Sequence, residues 1–145
     1  MRNSRSRAAV LVLLAAGVTG AAAPATARAA TVPRSFQTPS HNIYCVAAHD
    51  RSWGLRCDIL AVAHEPARPR SCDLDYGHAY LLATRGRGVR GCAGDTVADP
   101  AMPVAAYGST RHLGPFSCLV TQGGVTCTNG QGHGFSLSKA RQRVF

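Results

Sequence analysis

Cys118 and Cys127 enclose eight residues with a Gln122-Gly123-Gly124 turn signal between them, and the stretch 114–134 constrains the fold more than any other. Apolar and β-branched residues lead into the turn and return through Val125 and Thr126, as the arms of a β-hairpin do. With Gln122 and Gly123 as a two-residue turn, Thr121 faces Gly124, Val120 faces Val125, Leu119 faces Thr126 and Cys118 faces Cys127. The cysteines then fall on a non-hydrogen-bonded pair, with Cα atoms roughly 4.5 Å apart. That lies at the short end of the range a disulfide spans. A turn centred one residue later would separate them. Gly123 is expected to supply the positive φ such a turn demands.

The other cysteines extend the same logic. Cys45, Cys57, Cys72, Cys92, Cys118 and Cys127 make an even count in a short chain, which indicates a disulfide framework. Nearest-neighbour pairing, 45–57, 72–92 and 118–127, is favoured among the several possible schemes. No C-x-x-C spacing occurs, so a zinc knuckle or a thioredoxin-like redox pair is not indicated.

Export is expected from the first residues. Arg2, Arg5 and Arg7 form a basic n-region, Ala8–Gly17 an apolar h-region, and Ala27-Arg28-Ala29 an A-x-A cleavage site. The apolar run is too short and too rich in Ala and Gly for a membrane span of about 20 residues. Residues 1–29 read as a signal peptide, 30–35 as a mobile leader and 36–145 as one domain. The signal carries four of the 16 basic residues and none of the seven acids, so the net charge falls from +9 to +5 once it is removed. Much of the basicity therefore leaves with the signal, and arginine-rich composition is weak evidence for a polyanion partner.

The remaining chain reads as strands and turns. Phe36 is the first core anchor, and Pro39-Ser40-His41-Asn42 a tight turn in which His tolerates a left-handed conformation. Ile43–Ala48 and Leu55–Leu60 form a second hairpin, with Cys45 opposite Cys57 across a turn of odd length or a bulge. Ala61–Ser71, with Pro66 and Pro69, is a surface connection. His78–Thr84 and Val89–Ala93 are strands around an Arg85-Gly86-Arg87-Gly88 turn. Val97–Val104 is an extended, proline-containing loop, Ala105–Gly108 a short strand or turn, and Gly134–Ser138 a final strand. Lys139–Phe145 is expected as a basic tail with one short helical turn. No amphipathic helix of three turns is present after the signal, so the fold class is all-β: antiparallel hairpins held by three disulfides.

Several pieces together resemble a family of secreted actinobacterial proteins classed as a domain of unknown function. They are Phe36-x-x-Pro39-Ser40-x-Asn42-Ile43-x-Cys45, Arg56-Cys57-Asp58-Ile59, Tyr76-Gly77, Cys92-Ala93-Gly94-Asp95-Thr96, Tyr107-Gly108, Gly124-Val125-Thr126-Cys127-Thr128-Asn129 and Gly134-Phe135-Ser136. The resemblance covers about residues 36–138 and implies export and the six-cysteine layout. His41 stands where the family usually has glycine, and Tyr76 where tryptophan is common. The resemblance brings no reaction, ligand or catalytic residue.

The residues themselves offer few chemical constellations. The six histidines, at 41, 49, 64, 78, 112 and 133, show no metal-ligand spacing with one another. Asp73-x-Asp75 is half a calcium loop without its glycine and its later glutamate. No G-x-S-x-G frame marks a serine nucleophile. The Arg85–Arg90 cluster and tail arginines 141 and 143 lack the aromatic interleaving that binds single-stranded nucleic acid. No cofactor, no metal and no catalytic residue is therefore expected, and nucleic acid is not an expected partner. The leading expectation is a secreted, non-catalytic binding or structural module, facing a cell-envelope or extracellular component through a surface containing Asp95, Asp99 and His112. Two alternatives belong to other classes: a small secreted hydrolase using Asp95 and His112, with Ser117 as a further partner, and a protease inhibitor presenting the loop Asp99–Val104.

Overall fold

The computed structural model describes residues 34–49 and 53–145, with only the backbone at Trp53. The expected signal peptide, the expected leader up to residue 33 and residues 50–52 lie outside the described residues. Ten strands form two antiparallel sheets, each a meander in chain order. The first sheet holds β1 (Ser35–Gln37), β2 (Ile43–His49), β3 (Trp53–Ile59), β4 (Asp75–Ala83) and β5 (Val89–Ala93). The second holds β6 (Thr110–Leu113), β7 (Phe116–Thr121), β8 (Gly124–Thr128), β9 (Gly134–Leu137) and β10 (Gln142–Val144). No helix occurs among the described residues, and none there is long and apolar enough to cross a membrane.

All three disulfides follow the nearest-neighbour scheme: Cys45–Cys57, Cys72–Cys92 and Cys118–Cys127. Cys45 faces Cys57 across β2 and β3, and Cys118 faces Cys127 across β7 and β8, with Cα separations of 4.1 and 4.0 Å. Both bridges point inward and meet: the sulfurs of Cys57 and Cys127 lie 3.9 Å apart, both residues fully buried. Neither sulfur carries a proton, so this is a packing contact. Register extends each bridge into a row, Phe36–Cys45–Cys57–Tyr80 on one sheet and Cys118–Cys127–Phe135 on the other. The rows also touch through Tyr80 and Phe135, whose ring centroids are 5.9 Å apart at a 55° tilt. Leu55, Ile59, Leu113, Val120 and Leu137 fill the space around them. Burying each such side chain contributes roughly 1.5–3 kcal/mol.

Tyr80 is the largest fully buried side chain. Its hydroxyl donates to the Gly77 carbonyl and accepts from Arg90 Nε–H, both at 3.1 Å. Burial pushes its pKa up against the opposing pull of Arg90. The neutral phenol is thus favoured by folding, and that contribution is lost as pH rises past the ordinary tyrosine value of about 10. The Arg90 guanidinium lies 5.6 Å from the ring centroids of both Tyr76 and Tyr80, so tyrosine at 76 keeps an aromatic face for the cation.

The opening hairpin has the expected register from Thr121–Gly124 to Cys118–Cys127. The expectation about φ is corrected: Gly124, at +139°, and not Gly123, carries the positive angle. The reason is not the turn. A Cβ on Gly124 would run into the Leu137 carbonyl oxygen of the next strand, whereas one on Gly123 meets nothing closer than Thr121 Oγ1 at 3.6 Å. At the other turn His41 does adopt a left-handed φ of +52°, held by its Nδ1–H donating to Gln37 Oε1 at 2.6 Å.

Three further boundaries differ from expectation. Arg34 and Ser35 belong to the sheet, since β1 begins at Ser35 and the Arg34 carbonyl accepts from Ala47 N–H. Thr110–Leu113, to which the sequence pattern assigns no element, is strand β6. The tail makes no helical turn: Gln142–Val144 adds β10 to the free edge of β9, and Phe145 exchanges both backbone hydrogen bonds with Gly134. Substituting Gly124→Ala should lower stability by at least about 2 kcal/mol, because both φ and space forbid a side chain. Gly123→Ala should stay within about 0.5 kcal/mol of the parent. Urea unfolding of the two variants checks the pair, and equal costs would overturn the account.

Candidate functional site

Strand parity decides which side chains reach the surface. In the first sheet Leu55, Cys57 and Ile59 point to the core, so Arg56 and Asp58 point to the outer face. Asp58 is nevertheless only 3% exposed. The chain after β5 explains this: residues 95–105 form a strap that crosses the outer face from the β5 side to β1. Asp58 accepts four hydrogen bonds beneath it. Two come from Arg56 (Nε–H to Oδ1, 2.8 Å; Nη2–H to Oδ2, 3.0 Å), one from Thr96 Oγ1–H (3.0 Å) and one from Val97 N–H (2.8 Å). At the far end Gln37, also buried, donates from Nε2 to the carbonyls of Pro100 and Met102. Its backbone N–H donates to Pro103 O, and its carbonyl accepts from Ala105 N–H, which leads the strap alongside β1 in a parallel bridge with Val104. The strap thereby covers the β1 edge, which would otherwise be open to pairing.

The expected surface residues separate under this geometry. Asp95 is at the start of the strap with its side chain 79% exposed, and its carboxylate accepts from Arg56 Nη1–H at 2.9 Å. Arg56 holds its pKa below the ordinary value, and the Arg56 pKa is in turn raised, first by Asp58. Asp99 is exposed and accepts from Ala101 N–H at 2.8 Å, a local turn within the strap. His112 is on the outward side of the second sheet, in register with Ser117. The structure thus sets His112 beside Ser117. No hydrogen bond or ion pair among the described residues joins either to Asp95, which lies over the other sheet. The loop Asp99–Val104 has its backbone engaged by Gln37 rather than presented for pairing.

Sequence reasoning missed two features. One is a polar cleft of about 270 Å³ beside the strap, bordered by Asp58, Asp75, His78, Asp95 and Thr96. His78 Nδ1–H donates to the Ile59 carbonyl at 2.6 Å, and Nε2 lies 3.2 Å from Glu65 Oε1 in the exposed 61–74 connection. The carboxylate of Asp58 has used its acceptor positions on the chain itself, so it serves as an anchor rather than as a base. The spacing Arg56-x-Asp58, which puts both on one strand face, was the available signal. The sulfurs of Cys45, Cys57 and Cys127 also cluster at metal-ligand distance, but all three are in disulfides and are not thiolate ligands.

The second missed feature is apolar. The part of the outer face the strap leaves open is a groove of about 560 Å³ lined by apolar Val46, Ala48, Gly54, Leu81, Ala83 and Val89, by Val97 of the strap, and by Arg56 and Arg87. Leu81 is 40% and Val89 51% exposed. An antiparallel sheet with one buried face ordinarily presents polar side chains on the other. The second sheet does so at most positions: Thr110, Ser117, Thr126, Ser136 and Arg143 point outward with His112, and the exposed Leu119 stands singly among them. The continuous run Ala79-Tyr80-Leu81-Leu82-Ala83, apolar at both parities, was the signal for a two-faced strand.

The profile of a family described as Family of unknown function (DUF6636) matches residues 11–145. No curated protein and no solved structure matches the chain.

Two measurements test the strap. Asp58→Ala should cost about 3 kcal/mol, since it strands Arg56 and frees two strap donors. Hydrogen exchange should show the Val97 amide losing protection, and a cost below about 1 kcal/mol would remove Asp58 as the anchor. In an NMR titration the Asp95 carboxyl should ionise below the ordinary aspartate value of about 3.9. Its contribution is then present above that value and lost as pH falls through the lowered one. Arg56→Gln should return the midpoint toward the ordinary value, and an unchanged midpoint would refute the pairing.

Proposed function

Because the chain belongs to a family of unknown function, its role has to be read from its own surface, and we propose that it is an exported, non-catalytic binding module. The observation that carries this is the apolar outer face of the first sheet, left open by the strap. Exposed contiguous apolar surface of this kind marks interaction sites. Three disulfides favour an oxidising compartment, and the basic, apolar and A-x-A segments of residues 1–29 fit cleavage and secretion. The motifs shared with secreted actinobacterial proteins support the same setting. The domain that acts is residues 36–145 together with the β1 residue Ser35.

In this reading Asp95 and Asp99 belong to the strap that borders the groove. They shape the binding surface and do not act on a substrate. His112, with Ser117, is a separate exposed position on the second sheet. Rigid, disulfide-held sheets suit recognition because little ordering remains to be done on binding.

The test is comparative capture. Oxidised protein immobilised through an exposed residue of the second sheet should retain a component of culture medium or cell envelope. Ala83→Glu, which puts a carboxylate in the groove, should lose it, while Thr110→Glu on the second sheet should keep it. Equal capture by all three, or capture by none, would overturn the reading.

A further inference from the structure

The groove has a polarity that its apolar lining does not reveal. Its floor is made by Ala48, Gly54 and Ala83, which pair across β2, β3 and β4. A Cβ built on Gly54 would meet nothing within 4 Å, so the space above the floor is open. Val46, Leu81 and Val89 stand along it. Along β3 its lining runs from Gly54 to Arg56, roughly 7 Å at strand rise. The two ends carry different charge. At the strap end Arg56 is paired with both Asp58 and Asp95, so that end carries one net negative charge. At the other end the turn 84–88 brings Arg87 to the margin, with Arg85 two residues away, and neither forms an ion pair among the described residues.

That turn is also held in place. Asn129 Nδ2 donates to the carbonyls of Ala83 and Gly86, at 3.1 and 2.9 Å. Gly86 N–H donates to Gln131 Oε1 at 2.9 Å, and Gly88 N–H to the Phe145 carbonyl at 3.2 Å. A side chain at Gly88 would collide with the Gly134 carbonyl, so the close approach of turn and second sheet depends on glycine there. Arg87 thus lines the groove from a fixed backbone, with no ion pair to its guanidinium among the described residues.

We propose that the outer face of the first sheet binds a single-chain anionic amphiphile of the fatty-acid type, its alkyl chain in the Gly54–Ala83 trough and its carboxylate on Arg87. This rests on the binding-module reading and names the ligand class for the same face. The groove volume lies within the range of small-molecule sites. With Arg87 at one end and a net negative cluster at the other, a single anionic head group is directed to the Arg87 end. A guanidinium fork matches a carboxylate.

The experiment is calorimetric titration of the oxidised full chain with decanoate, dodecanoate and tetradecanoate below their micelle concentrations. Affinity should rise about fourfold per added methylene within the groove. Dodecanol should bind more weakly than dodecanoate. Arg87→Glu should weaken dodecanoate by roughly fivefold or more while leaving dodecanol unchanged. Ala83→Glu should remove both, with circular dichroism confirming its fold. Arg87, in an exposed turn, supplies the second variant should Ala83→Glu fail to fold. No binding, absence of a chain-length trend, or equal affinity for acid and alcohol would overturn the proposal. Cosedimentation with phosphatidylglycerol vesicles in place of monomer binding would assign the face to a membrane surface. Dimerisation in ultracentrifugation that Ala83→Glu abolishes would assign it to a second copy. If the carboxylates fail while Ala83→Glu still abolishes capture from culture medium, the ligand class falls and the binding-module reading stands.

Discussion

The contact between two cross-strand disulfides organises the molecule. Cys45–Cys57 and Cys118–Cys127 each join the second and third strands of a five-stranded meander, and Cys57 and Cys127 meet at 3.9 Å. A domain of this size buries a modest core, and crosslinks within its hairpins restrict the unfolded chain by about 2–4 kcal/mol each. Their placement does more than that. Because both bridges point inward, strand parity is fixed throughout each sheet, and every neighbouring residue is assigned to the core or to the outside. Phe36, Tyr80 and Phe135 extend the sulfur rows, so the inner faces are fully committed to each other. Only the outer faces, the edges and the strap remain to meet a ligand.

The strap divides the outer face of the first sheet into two unlike parts. Beneath it lie Gln37, Tyr44 and Asp58, outward by parity yet buried. The polar pair receives its partners from the strap, so a polar row that parity sends to the surface becomes interior without unsatisfied groups. Beyond the strap the next rows are apolar and open. Had the strap followed those rows, Val46, Leu81 and Val89 would be ordinary core residues. It instead lies over the row that can hydrogen-bond it, because Asp58 and Gln37 offer its backbone specific partners and the apolar rows offer none.

Legibility in the sequence followed the range of the cause. The Cys118–Cys127 register was readable to the residue because turn and bridge are both local. The positive φ was assigned one residue early because its cause, the Leu137 carbonyl on β9, is not local. Thr110–Leu113 and Gln142–Val144 have no alternating apolar pattern. They are strands because β7 and β9 offer them free edges, and that information lies in the partners. Asp95 was named in the sequence as a surface residue, but its partner Arg56 is 39 positions away. Asp58 and the groove were visible only as fragments, an Arg-x-Asp spacing and an unbroken apolar run, whose meaning required knowing which face the strap would cover.

The two sheets serve as controls for each other. They share strand number, connectivity and the position of the disulfide, and their outer faces differ in the strap that crosses part of the first. The second sheet answers with hydroxyls, His112 and Arg143 around a single exposed Leu119, including the Thr126–Ser136 hydrogen bond at 3.0 Å across neighbouring strands. The first answers with valine, alanine and leucine around a glycine that leaves open space. Nothing in folding or in core packing asks for that difference, and exposed leucine and valine on a sheet carry an aggregation liability that polar residues would remove. The asymmetry therefore belongs to what the face meets. Among the described residues the first outer face joins an open apolar trough to a cation without an ion pair at one end, and recognition of an amphiphile requires both.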